Sequence, residues 1–230
     1  MTSGGPILVI DTATTRAVIA LGDATGRVTE SRSWVAGYRH GEELLARISG
    51  LLEDNGVALA QLGGLVVGTG PGAFTGLRVG IATAKALAHS LQVPIAGIST
   101  AMALIAAAHL EPELDGAAVV LLQPAGPSDR VVTREGAAPR IIPGGTDPDL
   151  APGERLVAVD LADRAPADAV ARGAAAYAAL PAALVLAGAT RLVHGGDDLA
   201  RLVPEYVTLP RGVRGTLPDD GVELTGGGRR

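Results

Sequence analysis

The sequence contains no cysteine, and aromatic residues make up only 2% of its 230 residues. Without cysteine the chain has neither disulfide bonds nor a thiolate nucleophile, which is compatible with a reducing cytoplasm. One Trp, one Phe and three Tyr are too few for the stacking platform on which proteins usually hold single-stranded nucleic acid. The net charge of −5 offers no broad attraction to a phosphate backbone. We therefore do not expect the chain to bind RNA directly by itself.

Long hydrophobic runs and a basic leader are also missing. No basic segment followed by an apolar core opens the sequence, and the apolar stretch 101–110 is too short to span a bilayer. These absences predict a cytoplasmic protein that does not enter membranes.

Hydrophobic residues make up 47% of the chain, which is enough for one large domain or two small ones. The first 110 residues have the pattern of three strands followed by alternating helices and strands. The predicted strands are 7–10, 17–21, 28–35, 65–67 and 94–98, and the predicted helices are 41–54, 75–91 and 99–110. This order predicts an α/β fold.

The second half is less regular. Strands are predicted at 117–122, 130–133 and 156–159, a loop at 137–153, and an alanine-rich helix at 168–180. Residues 184–187 or 192–193 are expected to add a strand, and 212–230 is expected to be a flexible tail.

A glycine-rich turn at residues 68–80 follows the predicted strand 65–67. The spacing of its glycines matches neither a dinucleotide fingerprint nor a Walker loop, since Lys85 lies too far into the following helix. Gly70 and Gly72 could still turn backbone N–H groups toward an anion. Asp11, Thr12 and Thr14, at the end of the first strand, could surround a metal-bound phosphate. The alternative for both segments is ordinary turn chemistry without a ligand.

The helix after the glycine turn carries a ridge of small residues. Gly76, Gly80, Ala84 and Ala88 recur every four residues, and Leu77 and Ile81 flank them. Such a ridge lets another helix approach closely, either within the domain or in a second subunit. We predict a partner interface there, to which Arg78 adds a positive charge.

No complete catalytic apparatus is visible in the sequence. The four histidines show no zinc-helix spacing, and no serine lies in a nucleophile elbow. We therefore assign neither a catalytic residue nor a metal ligand. The loop His194-Gly195-Gly196-Asp197 is either a nucleotide-contacting loop or a simple left-handed turn.

Three segments together closely resemble the TsaB (YeaZ) family. They are Ile7 to Thr14, Tyr38 to Leu45 and the glycine run Gly68 to Gly80, with a weaker match at Pro204 to Val207. The resemblance implies an actin-like ATPase fold of two related βββαβα-type halves. We expect the halves at 1–110 and 111–211, with 212–230 as the tail.

The resemblance also implies a function. Members of this family resemble a scaffold that has lost independent catalysis, forms homodimers through the helix with the small-residue ridge, and pairs with the catalytic paralogue TsaD. With the ATPase TsaE they support formation of threonylcarbamoyladenosine (t6A) in tRNA, so tRNA is expected to be contacted only through the complex. TsaD would supply the metal site. No cofactor is assigned to this chain, and ATP with magnesium at the interface of the complex remains open.

Two alternatives stand beside the scaffold hypothesis. One is an ATP-dependent phosphotransferase of the same superfamily, with Asp11 near magnesium and the glycine turn near phosphate. The other is a glycoprotease-like peptidase, which the absence of a nucleophile and of metal ligands disfavours. The sequence also departs from the family at Gln123 to Ser128, where members commonly show an Asp-Ala-Arg-Arg-Gly-Glu-like stretch.

Overall fold

The computed structural model describes residues 4–36 and 40–207 and has two mixed β-sheets. The first sheet has the order β3-β2-β1-β4-β5. Its strands are β1 (Ile7–Asp11), β2 (Arg16–Gly22), β3 (Val28–Val35), β4 (Gly64–Gly70) and β5 (Ile95–Ser99). β1 pairs with β2 antiparallel and with β4 in parallel, so the carboxyl ends of β1 and β4 lie side by side.

The second sheet has the order β8-β7-β6-β9. Its strands are β6 (Ala118–Ala125), β7 (Asp129–Arg134), β8 (Arg140–Ile142) and β9 (Glu154–Ala158). β6 pairs antiparallel with β7 and in parallel with β9. The predicted strands 117–122 and 130–133 are confirmed and pair with each other, while the predicted loop 137–153 is wrong in part because it contains β8.

Four α-helices of the described residues pack on the sheets: α1 (His40–Asp54), α2 (Phe74–Leu91), α3 (Thr100–Ala108) and α4 (Ala167–Val193). α1 and α2 bury their leucine and isoleucine faces on one side of the first sheet. α3 and α4 lie on the other side, in a core that also takes in Val119, Leu121 and Val157 of the second sheet. Helices therefore cover both faces of the first sheet.

The prediction for the end of the second half is wrong. Residues 184–187 and 192–193 form no strand, because α4 continues to Val193. Leu184, Val185 and Leu192 are buried at helical spacing. Pro181 lies inside this helix and is itself buried, so tertiary packing outweighs the usual helix-breaking cost of proline.

Helix α4 is also long and apolar enough to cross a membrane by length and composition, the one such helix in the described part of the chain. Its apolar face packs on the first sheet and on β9, as the core helix of a globular protein does. The division at residue 110 stays a prediction. The predicted tail 212–230, and Tyr38 and Arg39 of the second resembling segment, lie outside the described residues.

Candidate functional site

Asp11 ends β1 and is completely buried. Its Oδ2 accepts a hydrogen bond from the Thr100 hydroxyl at 2.6 Å, and its Oδ1 accepts one from the Ala13 N–H at 2.9 Å. Burial raises the pKa of Asp11 to about 6, and the two hydrogen bonds only partly oppose that rise. A Cβ atom on Gly68 would lie 1.8 Å from Oδ2, so β4 closes the remaining side. Both carboxylate oxygens are thus engaged within the chain.

The hydroxyls of the turn after β1 also bond to the chain's own backbone. Thr12 Oγ1 donates to the Gly76 carbonyl at 2.6 Å, and Thr14 Oγ1 donates to the Arg16 carbonyl at 2.7 Å. The first bond ties the turn to the start of α2. These threonines are buried, so their hydroxyls fix the turn in place.

The glycine turn between β4 and α2 packs directly against this threonine turn. Gly70 has a φ of +105°, which favours glycine, and its N–H donates to the Thr100 hydroxyl oxygen at 3.2 Å. A Cβ atom on Gly72 would lie 2.0 Å from the Ala13 carbonyl oxygen. The Ala73 N–H donates to the same oxygen at 2.6 Å. The glycines therefore serve a close approach between two turns.

The five residues that the sequence suggested for nucleotide binding do come together at the carboxyl ends of β1 and β4. They are Asp11, Thr12, Thr14, Gly70 and Gly72. Thr100, which sequence reasoning missed, connects the two segments through one hydroxyl. Its signal was a polar residue directly after a buried strand. Nucleotide binding at these residues stays a prediction.

The small-residue ridge on α2 faces the chain's own interior. Gly76, Gly80, Ala84 and Ala88 are buried, as are the flanking Leu77 and Ile81. A Cβ atom on Gly80 would lie 2.2 Å from Thr12 Oγ1. The expectation that these six residues contact a partner is therefore wrong, because the close approach they permit is to the first sheet and its turns. Of the predicted interface residues, Arg78 alone is exposed.

A different stripe of α2 is exposed. It consists of Thr75, Arg78, Ala82, Ala86 and His89, spaced three or four residues apart. Its centre is nearly as poor in side-chain bulk as the buried ridge. α2 therefore carries small residues on two opposite faces, and only one of them is used within the described chain.

An aromatic and cationic cluster borders the exposed stripe at the start of α2. The Arg78 guanidinium lies 3.7 Å from the centroid of the Phe74 ring, and Arg78 Nε donates to the Tyr206 hydroxyl at 3.0 Å. The Phe74 and Tyr206 ring centroids are 5.2 Å apart. The single Phe of the chain is thus held half-buried beside a residue 132 positions away in the sequence.

Tyr206 belongs to a C-terminal segment that lies across the ends of β4 and β5. The Glu205 N–H donates to the Thr69 carbonyl at 2.8 Å. Its carboxylate accepts hydrogen bonds from the Thr69 and Ser99 hydroxyls at 2.5 and 2.9 Å. Sequence reasoning assigned no role to Glu205 or Tyr206, although the weak resemblance at 204–207 was a signal for them.

The loop 194–197 adopts a turn with positive φ at Gly195 and Gly196, as the turn alternative predicts. Asp197 accepts from Arg191 at 2.6 Å and from the Gly97 N–H at 2.8 Å, which fastens the loop to β5.

Within residues 4–36 and 40–207, no three His, Asp or Glu side chains form a group that could hold a metal ion.

A family profile and several known proteins match parts of this chain. The family profile described as TsaD, tRNA N6-adenosine threonylcarbamoyltransferase, matches residues 34–186. An uncharacterized protein of Mycobacterium leprae (strain TN) is 40% identical over 95 residues, which cover 40% of this chain and 26% of that protein. The tRNA threonylcarbamoyladenosine biosynthesis protein TsaB of Escherichia coli (strain K12) is 35% identical over 99 residues, 43% of this chain and 42% of its own length. The matched region thus spans less than half of each of these relatives.

A solved structure, YeaZ from Pseudomonas aeruginosa, has the same fold over nearly the whole chain. Its TM-score is 0.64 at 24% identity, with 88% of this chain and all of that chain covered. The two mixed sheets confirm the predicted α/β fold. Because the TsaD profile matches more than half of the chain, the chain belongs to that family. Over the matched parts, the chain is similar to the TsaB proteins of E. coli and Bacillus subtilis (strain 168) and, in fold, to YeaZ from P. aeruginosa.

Proposed function

We propose that this chain is a non-catalytic, dimerising subunit of the cytoplasmic machinery that makes t6A in tRNA. In this role it stabilises a TsaD-type transferase subunit, works with a TsaE-type ATPase, and meets tRNA only through the complex. The name of the E. coli relative supports the pathway. The observation that carries the assignment to a binding subunit is the state of Asp11, whose two oxygens are both bonded to the chain's own groups.

The burial of the Asp11 carboxylate supports a role without independent catalysis. A carboxylate that served magnesium and phosphate would have to face the ligand, whereas Asp11 is fully buried beneath Gly68 and Thr100. Releasing it would break two hydrogen bonds and separate β1 from α3. This geometry also weighs against the phosphotransferase alternative.

The exposed stripe of α2 supports a partner interface on that helix. Ala82 and Ala86 lie at its centre, so a second helix could approach closely along it. Arg78, held by Phe74 and Tyr206, presents a fixed cation at one end of the stripe. The proposed interface is therefore on α2, as the resemblance implies, but on the face opposite the predicted ridge.

Capture of the tagged chain from its own cells tests this function. We expect a TsaD-like chain to co-purify with the native protein and to be lost with Ala82→Arg, because a long charged side chain would stand in the closest part of the interface. Sedimentation of the purified protein should show a dimer, and the same substitution should raise the dissociation constant of that dimer at least tenfold.

Ala171→Arg is the matched control, since Ala171 is exposed on α4, far along the chain from the stripe. It should leave both capture and sedimentation unchanged. Equal capture of the TsaD-like chain by Ala82→Arg and by the native protein would refute the interface. Magnesium-dependent ATP hydrolysis by the purified chain, abolished by Asp11→Ala, would instead establish the phosphotransferase.

A further inference from the structure

Asp160 lies just after β9 in the second sheet and contacts Thr15, in the turn after β1 of the first sheet. Its Oδ2 accepts from the Thr15 N–H at 2.7 Å, and its Oδ1 accepts from the Thr15 hydroxyl at 2.6 Å. The two residues are 145 positions apart. Within the described residues, these are the side-chain hydrogen bonds that join a loop of the second sheet directly to the first sheet. Both oxygens of the Asp160 carboxylate thus accept hydrogen bonds from Thr15.

The backbone around Asp160 is strained. Asp160 has a φ of +59° and Ala162 a φ of +28°, both in a region that residues with side chains rarely adopt. Asp tolerates this conformation better than most residues, but Ala162 has no polar side chain to compensate. Such strain persists only where the surroundings hold it. Here the hydrogen bonds from Thr15 fix the Asp160 side chain, and Arg164 Nη2 donates a hydrogen bond to the Asp160 carbonyl at 3.1 Å.

The rest of the junction between the sheets is mainly an apolar core. Helix α4 packs Leu184 and Val185 into a core shared with the first sheet. The Tyr177 hydroxyl, also on α4, donates to the Arg16 carbonyl at 2.9 Å. α4 therefore keeps the sheets together whether or not Asp160 is bonded. The Asp160 contact, by comparison, is formed between solvent-accessible groups that can exchange their partners for water.

We propose that the Asp160–Thr15 contact is a latch that sets how far the two sheets open at the side where β1 and β9 end. In the closed state the carboxylate holds the threonine turn, and the left-handed backbone at Asp160 is the cost of reaching it. In the open state Asp160 returns to an ordinary backbone conformation, and the sheets pivot about the core formed by α4. The latch does not depend on the proposed function in t6A synthesis.

Two substitutions release the latch by different routes. Asp160→Gly removes the carboxylate and suits the positive φ, so the fold is not strained further. Thr15→Val removes the hydroxyl, whereas Thr15→Ser keeps both donors and should behave like the native protein. Asp163→Gly is the matched control, because Asp163 is exposed in the same loop, whereas both hydrogen bonds that Thr15 donates go to Asp160.

Amide hydrogen exchange and a distance measurement between the two sheets test the latch. Since the chain has no cysteine, Thr29→Cys on β3 and Arg155→Cys on β9 place two spin labels without a background. We expect Asp160→Gly to broaden the label distance distribution and to speed exchange of the Thr15 amide by roughly fivefold or more, the effect of losing one hydrogen bond. Asp163→Gly should change neither. An unchanged label distance distribution in both Asp160→Gly and Thr15→Val would overturn the latch even if the Thr15 amide exchanged faster, because losing its acceptor alone speeds that exchange.

Discussion

The hydroxyl of Thr100 donates a 2.6 Å hydrogen bond to Asp11, although the two residues are 89 positions apart. The same hydroxyl oxygen accepts from the Gly70 N–H, so one side chain joins the ends of β1 and β4 to the start of α3. This three-way junction is the centre of the candidate site. It explains why a carboxylate is tolerated in a position with no exposed surface.

The buried carboxyl of Asp11 should make stability depend on pH. Its pKa is about 6 in the folded protein against an ordinary 3.8, so the unfolded chain loses this proton more easily. The contribution of Asp11 to the free energy of unfolding should therefore fall as pH rises from about 4 to about 6, by about 3 kcal/mol at about 1.4 kcal/mol per pKa unit. Asp11→Asn should lose this dependence. Urea unfolding between pH 4 and 8 measures it, as the difference between native and variant.

Asp163→Asn, at an exposed position, should keep the native pH profile. A difference between native protein and Asp11→Asn that stays constant across this pH range would contradict the raised pKa.

Gly80→Leu should destabilise the folded monomer. A Cβ atom at this position already meets Thr12 Oγ1 at 2.2 Å, so a larger side chain would push α2 away from the first sheet. We expect a loss of about 3 kcal/mol, typical of severe overpacking. Ala171→Leu, exposed on α4, should change the unfolding free energy by less than about 0.5 kcal/mol. Similar urea midpoints for the two variants would show that the ridge does not pack internally.

Gly173→Ala should weaken the packing of α4 on β9. The added Cβ would lie 1.8 Å from the Ala158 carbonyl oxygen, which is backbone and cannot rotate away. We expect a loss of about 2 kcal/mol by thermal or urea unfolding. Gly50→Ala is the matched control in α1, where the new Cβ would meet Arg32 at an ordinary 3.5 Å. It should stabilise the protein by up to about 1 kcal/mol, because alanine favours helix over glycine. If both substitutions lowered the free energy of unfolding, the loss would come from placing alanine in the helix and not from contact of the new Cβ with Ala158.

Glu205→Ala should release the C-terminal segment from the ends of β4 and β5. The substitution removes the acceptor of two hydroxyl groups, those of Thr69 and Ser99. Amide exchange of Val203 and of residues 205–207 should speed up roughly tenfold with little change in global stability. Val203→Ala, at an exposed position of the same segment, should leave exchange unchanged. Native-like exchange in Glu205→Ala would show that the backbone bond to Thr69 suffices.

Much of the first half could be predicted because its signals are local. The helix at 75–91 follows from its apolar pattern and begins one residue later than α2, and the strand at 28–35, in which polar and apolar residues are mixed, has the bounds of β3. The second half was harder to predict because its burial is not local. Helix α4 passes through Pro181, and its contacts with both sheets offset the helix-breaking cost of that proline.

The sequence by itself determined the α/β class, the TsaB-type pattern at the ends of β1 and β4, and the two small-residue periodicities along α2. The direction that each face of α2 takes was decided by the tertiary structure, since a stripe of glycine and alanine suits close packing equally well inside a subunit or between subunits. Thr12 occupies the space beside Gly80, and so the ridge faces inward and the stripe with Ala82 faces out. The links from Thr100 to Asp11 and from Asp160 to Thr15 likewise exist only in three dimensions, because they join residues about 90 to 145 positions apart.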